Sequence, residues 1–250
     1  EFRRVLFRSN VADRYINGVG SGIWRDSHVK IEGKAVAGLQ TSFLIDWYSS
    51  RKEFLASDTY YPILDSQGDN MIQLVTSGPV GQFKDIHLGV LQAISNAKES
   101  VYIQTPYFIP TDSLMQVIQM AAMRGVDVRL MLPRHSDTTF VHIASMSFLK
   151  EVLDAKVSVY FFEAGFLHSK LMTVDNSLTI TGSANMDMRS FEHNFEIDAF
   201  IYSEETCRKA QEIFLKDMES STQLLVEEWD QRSRIEKFKE SVMRLFSPLL

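Results

Sequence analysis

Between Phe166 and Asn185 the chain reads Phe-Leu-His-Ser-Lys-Leu-Met-Thr-Val-Asp-Asn-Ser-Leu-Thr-Ile-Thr-Gly-Ser-Ala-Asn. His168 and Lys170 are two residues apart, so on an extended strand they share a face. An imidazole beside an ammonium makes a poor core, where each would need its own partner. The pair suits a phosphate: Lys170 screens its charge while His168 attacks it or protonates a leaving oxygen. Ser183 and Asn185 repeat the two-residue spacing, and Gly182 beside them lets the backbone approach a ligand closely. On the next strand Asn194, Glu196 and Asp198 alternate with Phe195, Ile197 and Ala199. That alternation places Glu196 to accept the Nδ1 proton of His168 and hold its tautomer, as a carboxylate does behind a catalytic histidine. Asp175 lies in the tight Asp175-Asn176-Ser177 turn, where aspartate commonly bonds nearby backbone, so a structural and a chemical role both fit it.

The surrounding pattern shows what must hold these residues. The spacing predicts a strand over Ile23–Glu32 and a helix opening at Gly33 and running through Val36, Leu39, Phe43, Leu44 and Trp47. Ser57–Asn70, with Pro62, Asp65, Gly68 and Asp69, is the best domain boundary. Strands are then expected at Met71–Thr76, Val101–Gln104, Val126–Leu132 and Val157–Phe162, alternating with helices at Lys84–Ala97, Asp112–Arg124 and Thr138–Leu153. That rhythm argues for an α/β layered sandwich whose central sheet is mixed but mostly parallel, flanked by helices. Leu167–Tyr202 breaks the rhythm as three closely spaced strands. Glu204–Met218 and Glu228–Phe246 read as charged helices.

Composition narrows the function classes. In 250 residues, 26 Lys and Arg against 32 Asp and Glu leave a net charge of −6, which argues against a broad nucleic-acid footprint. The single cysteine, Cys207, excludes an intrachain disulfide and a cysteine-rich zinc site. The other histidines, His28, His87, His135, His142 and His193, lack metal-ligand spacing, and no metal or other cofactor is called for. No apolar run approaches the ~18–20 residues of a membrane-spanning helix.

His-x-Lys, four residues, Asp, six residues and Gly-Ser-x-Asn, at His168, Lys170, Asp175, Gly182, Ser183 and Asn185, resembles the signature of the phospholipase D superfamily. Glu196 stands where that superfamily places a histidine-orienting carboxylate. Ile-Trp-Arg-Asp-Ser-His (23–28), Gly-Lys-Ala-Val-Ala-Gly-Leu-Gln (33–40), Thr-Pro-Tyr-Phe-Ile-Pro (105–110) and Arg-Leu-Phe-Ser-Pro-Leu-Leu (244–250) look more narrowly like bacterial cardiolipin synthases. The resemblance implies phosphatidyl transfer between two phosphatidylglycerol molecules, giving cardiolipin and glycerol through a phosphohistidine. It implies catalytic roles for His168, Lys170, Asp175 and Glu196, and phospholipid contact for Ser183 and Asn185. It also implies a site at a bacterial membrane surface that needs no metal. Tyr107 and Phe108 would wall a lipid cleft or pack in the core. Another phosphodiesterase of the superfamily, or an inactive fragment, are the alternative readings.

Members carry two such motifs, one per lobe, and here only the second is present. Asn10-Val-Ala-Asp-Arg14 echoes Asn185-Met-Asp-Met-Arg189, so Asn10 reads as the last residue of a first motif. Asp26 would then be the first lobe's counterpart of Glu196, and both Asn10 and Asp26 are expected to face substrate. Residues 1–9 look like translated sequencing-adapter read-through, residues 10–68 like the remnant of a first lobe, and 69–250 like a complete second lobe. On that reading the missing first-lobe motif is needed to complete the site, and this chain alone is expected to be inactive. In the last helix Ile235, Phe238, Val242, Leu245 and Leu249 form one stripe among Arg232, Arg234, Lys237, Lys239 and Arg244. Packing against the domain is the default expectation for it, and lying on a membrane surface is the alternative.

Overall fold

The computed structural model describes Gly22–Ser247, Asp13 and the backbone of Arg4–Phe7. Asn10 and most of the Gly18–Gly22 loop lie outside the described residues.

The strands are β1 (Arg4–Phe7), β2 (Ile23–Arg25), β3 (Val29–Glu32), β4 (Met71–Ser77), β5 (Ser100–Gln104), β6 (Phe108–Ile109) and β7 (Asp127–Pro133). They continue with β8 (Ser158–Phe162), β9 (Gly165–Leu167), β10 (Leu171–Val174), β11 (Leu178–Gly182), β12 (Met186–Asp187), β13 (Glu196–Tyr202) and β14 (Ser221–Leu224). The helices are α1 (Val36–Arg51), α2 (Asp85–Asn96), α3 (Asp112–Met123), α4 (Thr139–Met146), α5 (Leu149–Asp154), α6 (Met188–Glu192), α7 (Glu204–Met218), α8 (Val226–Asp230) and α9 (Arg234–Arg244).

Eight strands form the central sheet in the order β14-β8-β7-β5-β10-β11-β13-β4. It is mixed, as expected, but not mostly parallel: only β5–β7 and β7–β8 pair in parallel, and the other neighbours are antiparallel. The strand–helix rhythm holds from β5 to β8, where each strand returns by a helical crossover. From β10 to β13 short connections replace helices, and such connections join antiparallel neighbours.

Alternation along the strands divides the core. Val101, Ile103, Val128, Leu130, Val159, Phe161, Met172, Ile180 and Phe200 face α2, α3 and α5 in the largest cluster. Met131, Phe162 and Leu167 meet Phe214 of α7 on the opposite face. Ala199 and Ile201 of β13 complete that face by packing on Ile31 of β3 and Val36 at the start of α1. Residues 22–68 therefore share a core with the sheet.

Three predicted elements change shape. The strand over Ile23–Glu32 is interrupted at Asp26–His28, giving β2 and β3. The helix over Thr138–Leu153 breaks at Ser147, whose hydroxyl donates to the Ala144 carbonyl at 2.6 Å. The last predicted helix becomes α8 and α9. The edge strand β14, which half-covers its side chains and pairs antiparallel with β8, carries no alternation that announces it.

Candidate active site

His168, Lys170, Ser183, Asn185 and Glu196 gather at one edge of the central sheet, where β5 and β7 end and β10 begins. His168, Ser169 and Lys170 are not a strand but the link between β9 and β10. Their convergence comes instead from β2. It runs parallel to β9 with Arg25 opposite Leu167, and the Arg25 carbonyl accepts the His168 backbone N–H at 2.7 Å. Asp26 and His168 are the next residues on each side.

The result is a chain of polar contacts. His168 Nδ1 lies 2.9 Å from Asp26 Oδ2, and Lys170 Nζ lies 2.9 Å from His168 Nε2. Lys170 is 7% exposed and also donates to the His168 carbonyl at 2.9 Å. With the imidazole proton assigned to Nδ1 and donated to Asp26, Nε2 keeps its lone pair and accepts from the ammonium. Trp24 flanks the imidazole with ring centroids 4.8 Å apart. The Ser27 backbone N–H donates to Asp26 Oδ1 at 2.9 Å, and the Ser27 and Ser169 hydroxyls meet at 2.7 Å.

Glu196 does not orient His168. It opens β13 opposite Ser77 of β4, with β11 between it and β10, and its carboxylate accepts the Asn194 amide at 3.0 Å. The carboxylate behind His168 is Asp26, which arrives from a segment far away in sequence. Burial pushes the Asp187 carboxyl above the usual range and the Glu196 charge adds to it, while hydrogen bonds from Ser190 and Asn185 oppose the shift.

Asp175 is also corrected. It sits at the far end of β10 from Lys170, at φ 48°, and its carboxylate accepts the backbone N–H groups of Lys98, Glu99 and Ser100 at 2.7–3.0 Å. It clips the β10–β11 turn to the start of β5, at the opposite end of β10 from His168 and Lys170. The Ser183 hydroxyl is held by Ile197, accepting its N–H at 2.9 Å and donating to its carbonyl at 3.3 Å. Gly182 is required by a neighbouring strand and not by a ligand: a Cβ there would stand 2.2 Å from Asp198 Oδ1. Asn185 gives its amide to Asp187 at 3.1 Å, while its buried Oδ1 has no partner among the described residues. Phe108 is core, and half-buried Tyr107 donates to Asp137 at 2.6 Å.

Three residues that position the site were not singled out from the sequence. Arg25 Nε donates to Asp217 Oδ1 at 2.9 Å, and Gln104 Nε2 donates to Asp217 Oδ2 at 2.8 Å. Asp217 thereby fixes β2, and with it Asp26, to the second half of the chain. Its signal was available: Cys207, Ala210, Phe214 and Asp217 form the buried stripe of α7, and an acid on such a stripe needs a partner.

Residues 90–218 match the family described as cardiolipin synthase, PLD-like domain. The chain is 43% identical over 244 residues to cardiolipin synthase 2 of Staphylococcus epidermidis, covering 96% of this chain and 50% of that protein. It is 40% identical over 244 residues to the cardiolipin synthase of Listeria monocytogenes serotype 4a, covering 96% and 51%. The chain thus spans about half the length of these relatives. Among solved structures, Nuc of Salmonella typhimurium, a phospholipase D family member, aligns with a TM-score of 0.53 at 21% identity, over 63% of this chain and 99% of that one. The phosphatidylserine synthase of Haemophilus influenzae aligns with a TM-score of 0.59 at 13% identity, over 72% and 48%. The layered fold is the one these structures share, and the chain belongs to the PLD-like domain family of cardiolipin synthases.

Proposed function

We propose that this chain carries the second half-site of a phosphatidyltransferase that makes cardiolipin and glycerol from two phosphatidylglycerol molecules. The observation that carries the reading is the Asp26–His168–Lys170 chain of 2.9 Å contacts. With Nδ1–H held by Asp26, the Nε2 lone pair of His168 attacks the phosphodiester phosphorus. An N–P bond forms, the P–O bond to glycerol breaks, and the departing alkoxide takes a proton from a second acid. The family resemblance assigns that acid to a first-lobe histidine. Lys170 moves its donor from Nε2 to a phosphate oxygen, and Asp26 balances the charge that develops on the imidazole. The hydroxyl of the second phosphatidylglycerol then gives its proton back to that acid, now a base, as its oxygen attacks phosphorus; the O–P bond forms, the N–P bond breaks and Nε2 regains its lone pair.

Residues 22–68 are, on this reading, the end of a first lobe, since they supply the carboxylate for the other lobe's histidine. Both substrates are bilayer lipids, so the reaction belongs at a bacterial membrane surface. The test uses a protein with a first-lobe motif joined ahead of residue 10, given phosphatidylglycerol vesicles and quenched early. The reading expects cardiolipin and an acid-labile phosphatidyl adduct on His168, both abolished in His168→Ala. Phosphatidic acid in place of cardiolipin would make it a hydrolase, and an adduct on another residue would remove His168 as nucleophile.

A further inference from the structure

Helix α9 is turned the opposite way from most surface helices. Ile235, Phe238, Val242 and Leu245 recur at steps of three and four, the spacing of a single stripe. That stripe faces solvent, at 69%, 69%, 37% and 79% exposure, and Phe246 beyond it is also exposed. The side facing the protein carries the charges. Glu240 pairs with Arg232, Arg244 pairs with Glu151 and donates to the Ser147 carbonyl, and Met243 reaches the core. Glu236 is held at the helix start, where it and Ser233 form a capping box.

At 3.6 residues per turn, Arg234 and Lys239 border the stripe on its two sides. Neither forms an ion pair with a described carboxylate. The helix thus presents an apolar strip edged by cations, with its acids turned inward or used as a cap. A protein partner would need to match only the apolar strip. The cationic edges additionally select a surface that is apolar below and anionic above, which is the charge complement of a bilayer containing acidic phospholipid. The helix packs on α4, and the loop before α4 carries Asp137, which holds Tyr107 near the catalytic edge. No described helix is long and apolar enough to cross a membrane.

We propose that α9 is an interfacial helix that lays Ile235, Phe238, Val242, Leu245 and Phe246 on an anionic bilayer, with Arg234 and Lys239 reaching the headgroups. The choice of a lipid surface rests on the phosphatidyl-transfer reading, so the test uses an anionic lipid that is not its substrate. The whole 250-residue chain is floated with vesicles of phosphatidylcholine alone or with about one-third phosphatidylserine, at low and high salt. The proposal expects flotation only with the anionic vesicles, weakening as salt rises. Arg234→Gln/Lys239→Gln should weaken binding about 30-fold, from roughly 1 kcal/mol per cation. Phe238→Ser/Leu245→Ser should weaken it at least about tenfold with unchanged circular dichroism. His168→Ala should bind like the parent, which separates this surface from the chemistry. Absence of anionic-vesicle binding, or full binding by the Phe238/Leu245 variant, would overturn the proposal. So would a dimer in light scattering that the Phe238/Leu245 variant dissolves, since a second copy would then cover the stripe.

Discussion

At the scale of single residues, two aspartates of similar appearance do different work. Asp26 faces an imidazole, whereas Asp175 faces three backbone N–H groups and no reacting atom. In a protein carrying both half-sites, Asp26→Asn should lower turnover about 10²–10⁴-fold, the range for a positioned proton-handling group, as read in an initial-rate lipid assay. Asp175→Ala should instead leave turnover near that of the parent. It should lower stability by about 1–3 kcal/mol in urea titration, because three backbone donors at the start of β5 lose a charged acceptor held at a left-handed position. Fully retained stability, or a turnover loss as large as that of Asp26→Asn, would reverse these assignments. The motif was legible at His168 and Lys170 because residue type and spacing alone suggest phosphate chemistry. The roles of Asp175, Ser183 and Gly182 were not, because the same residues satisfy turn and strand backbones equally well. Only the partners on β5 and β13 decide between the two.

Among elements, the decisive contact is the parallel pairing of β2 with β9. Alternation within β13 gave Glu196 a face but said nothing of how far β13 lies from His168, with β11 between β13 and β10. The pairing of segments some 140 positions apart leaves no periodicity to read, so Asp26 was expected as a first-lobe carboxylate and not given to His168. The expectation of a mostly parallel sheet failed for a related reason, since the rule of helical crossovers was extended past β8 to strands joined by short connections. The tie between β2 and α7 gives a prediction of its own. Asp217→Ala strips Arg25 and Gln104 of their acceptor and should destabilise the chain by about 1–3 kcal/mol. An Arg25→Met/Asp217→Leu pair should recover the part of that loss due to the unpaired guanidinium, while Gln104 stays without its carboxylate acceptor. Additive losses in a double-mutant cycle would mean that Arg25 and Asp217 do not act together.

For the whole molecule, the histidines outside the site shape its response to pH. Burial lowers His87 below its ordinary 6.5, against the opposing charge of Glu192. Burial lowers His142 as well, with His135 and Arg134 adding to the effect. A histidine whose folded pKa is depressed contributes stability above the unfolded value, and that contribution is lost as pH falls from about 6.5 through the folded pKa. The melting temperature should therefore drop between pH 7.5 and pH 5.5, and His87→Gln/His142→Gln should flatten that drop. An equal drop in the double variant would assign the acid sensitivity elsewhere. The two parts of the chain meet where the segment before residue 69 supplies the carboxylate that holds His168 of the segment after it. Nitrogen-15 NMR of the histidine side chains tests this on the 250-residue chain without any need for turnover. The His168 ring should be protonated at Nδ1, with that proton's downfield signal lost in Asp26→Asn and unchanged in Glu196→Gln. A signal that survives Asp26→Asn and disappears in Glu196→Gln would contradict it.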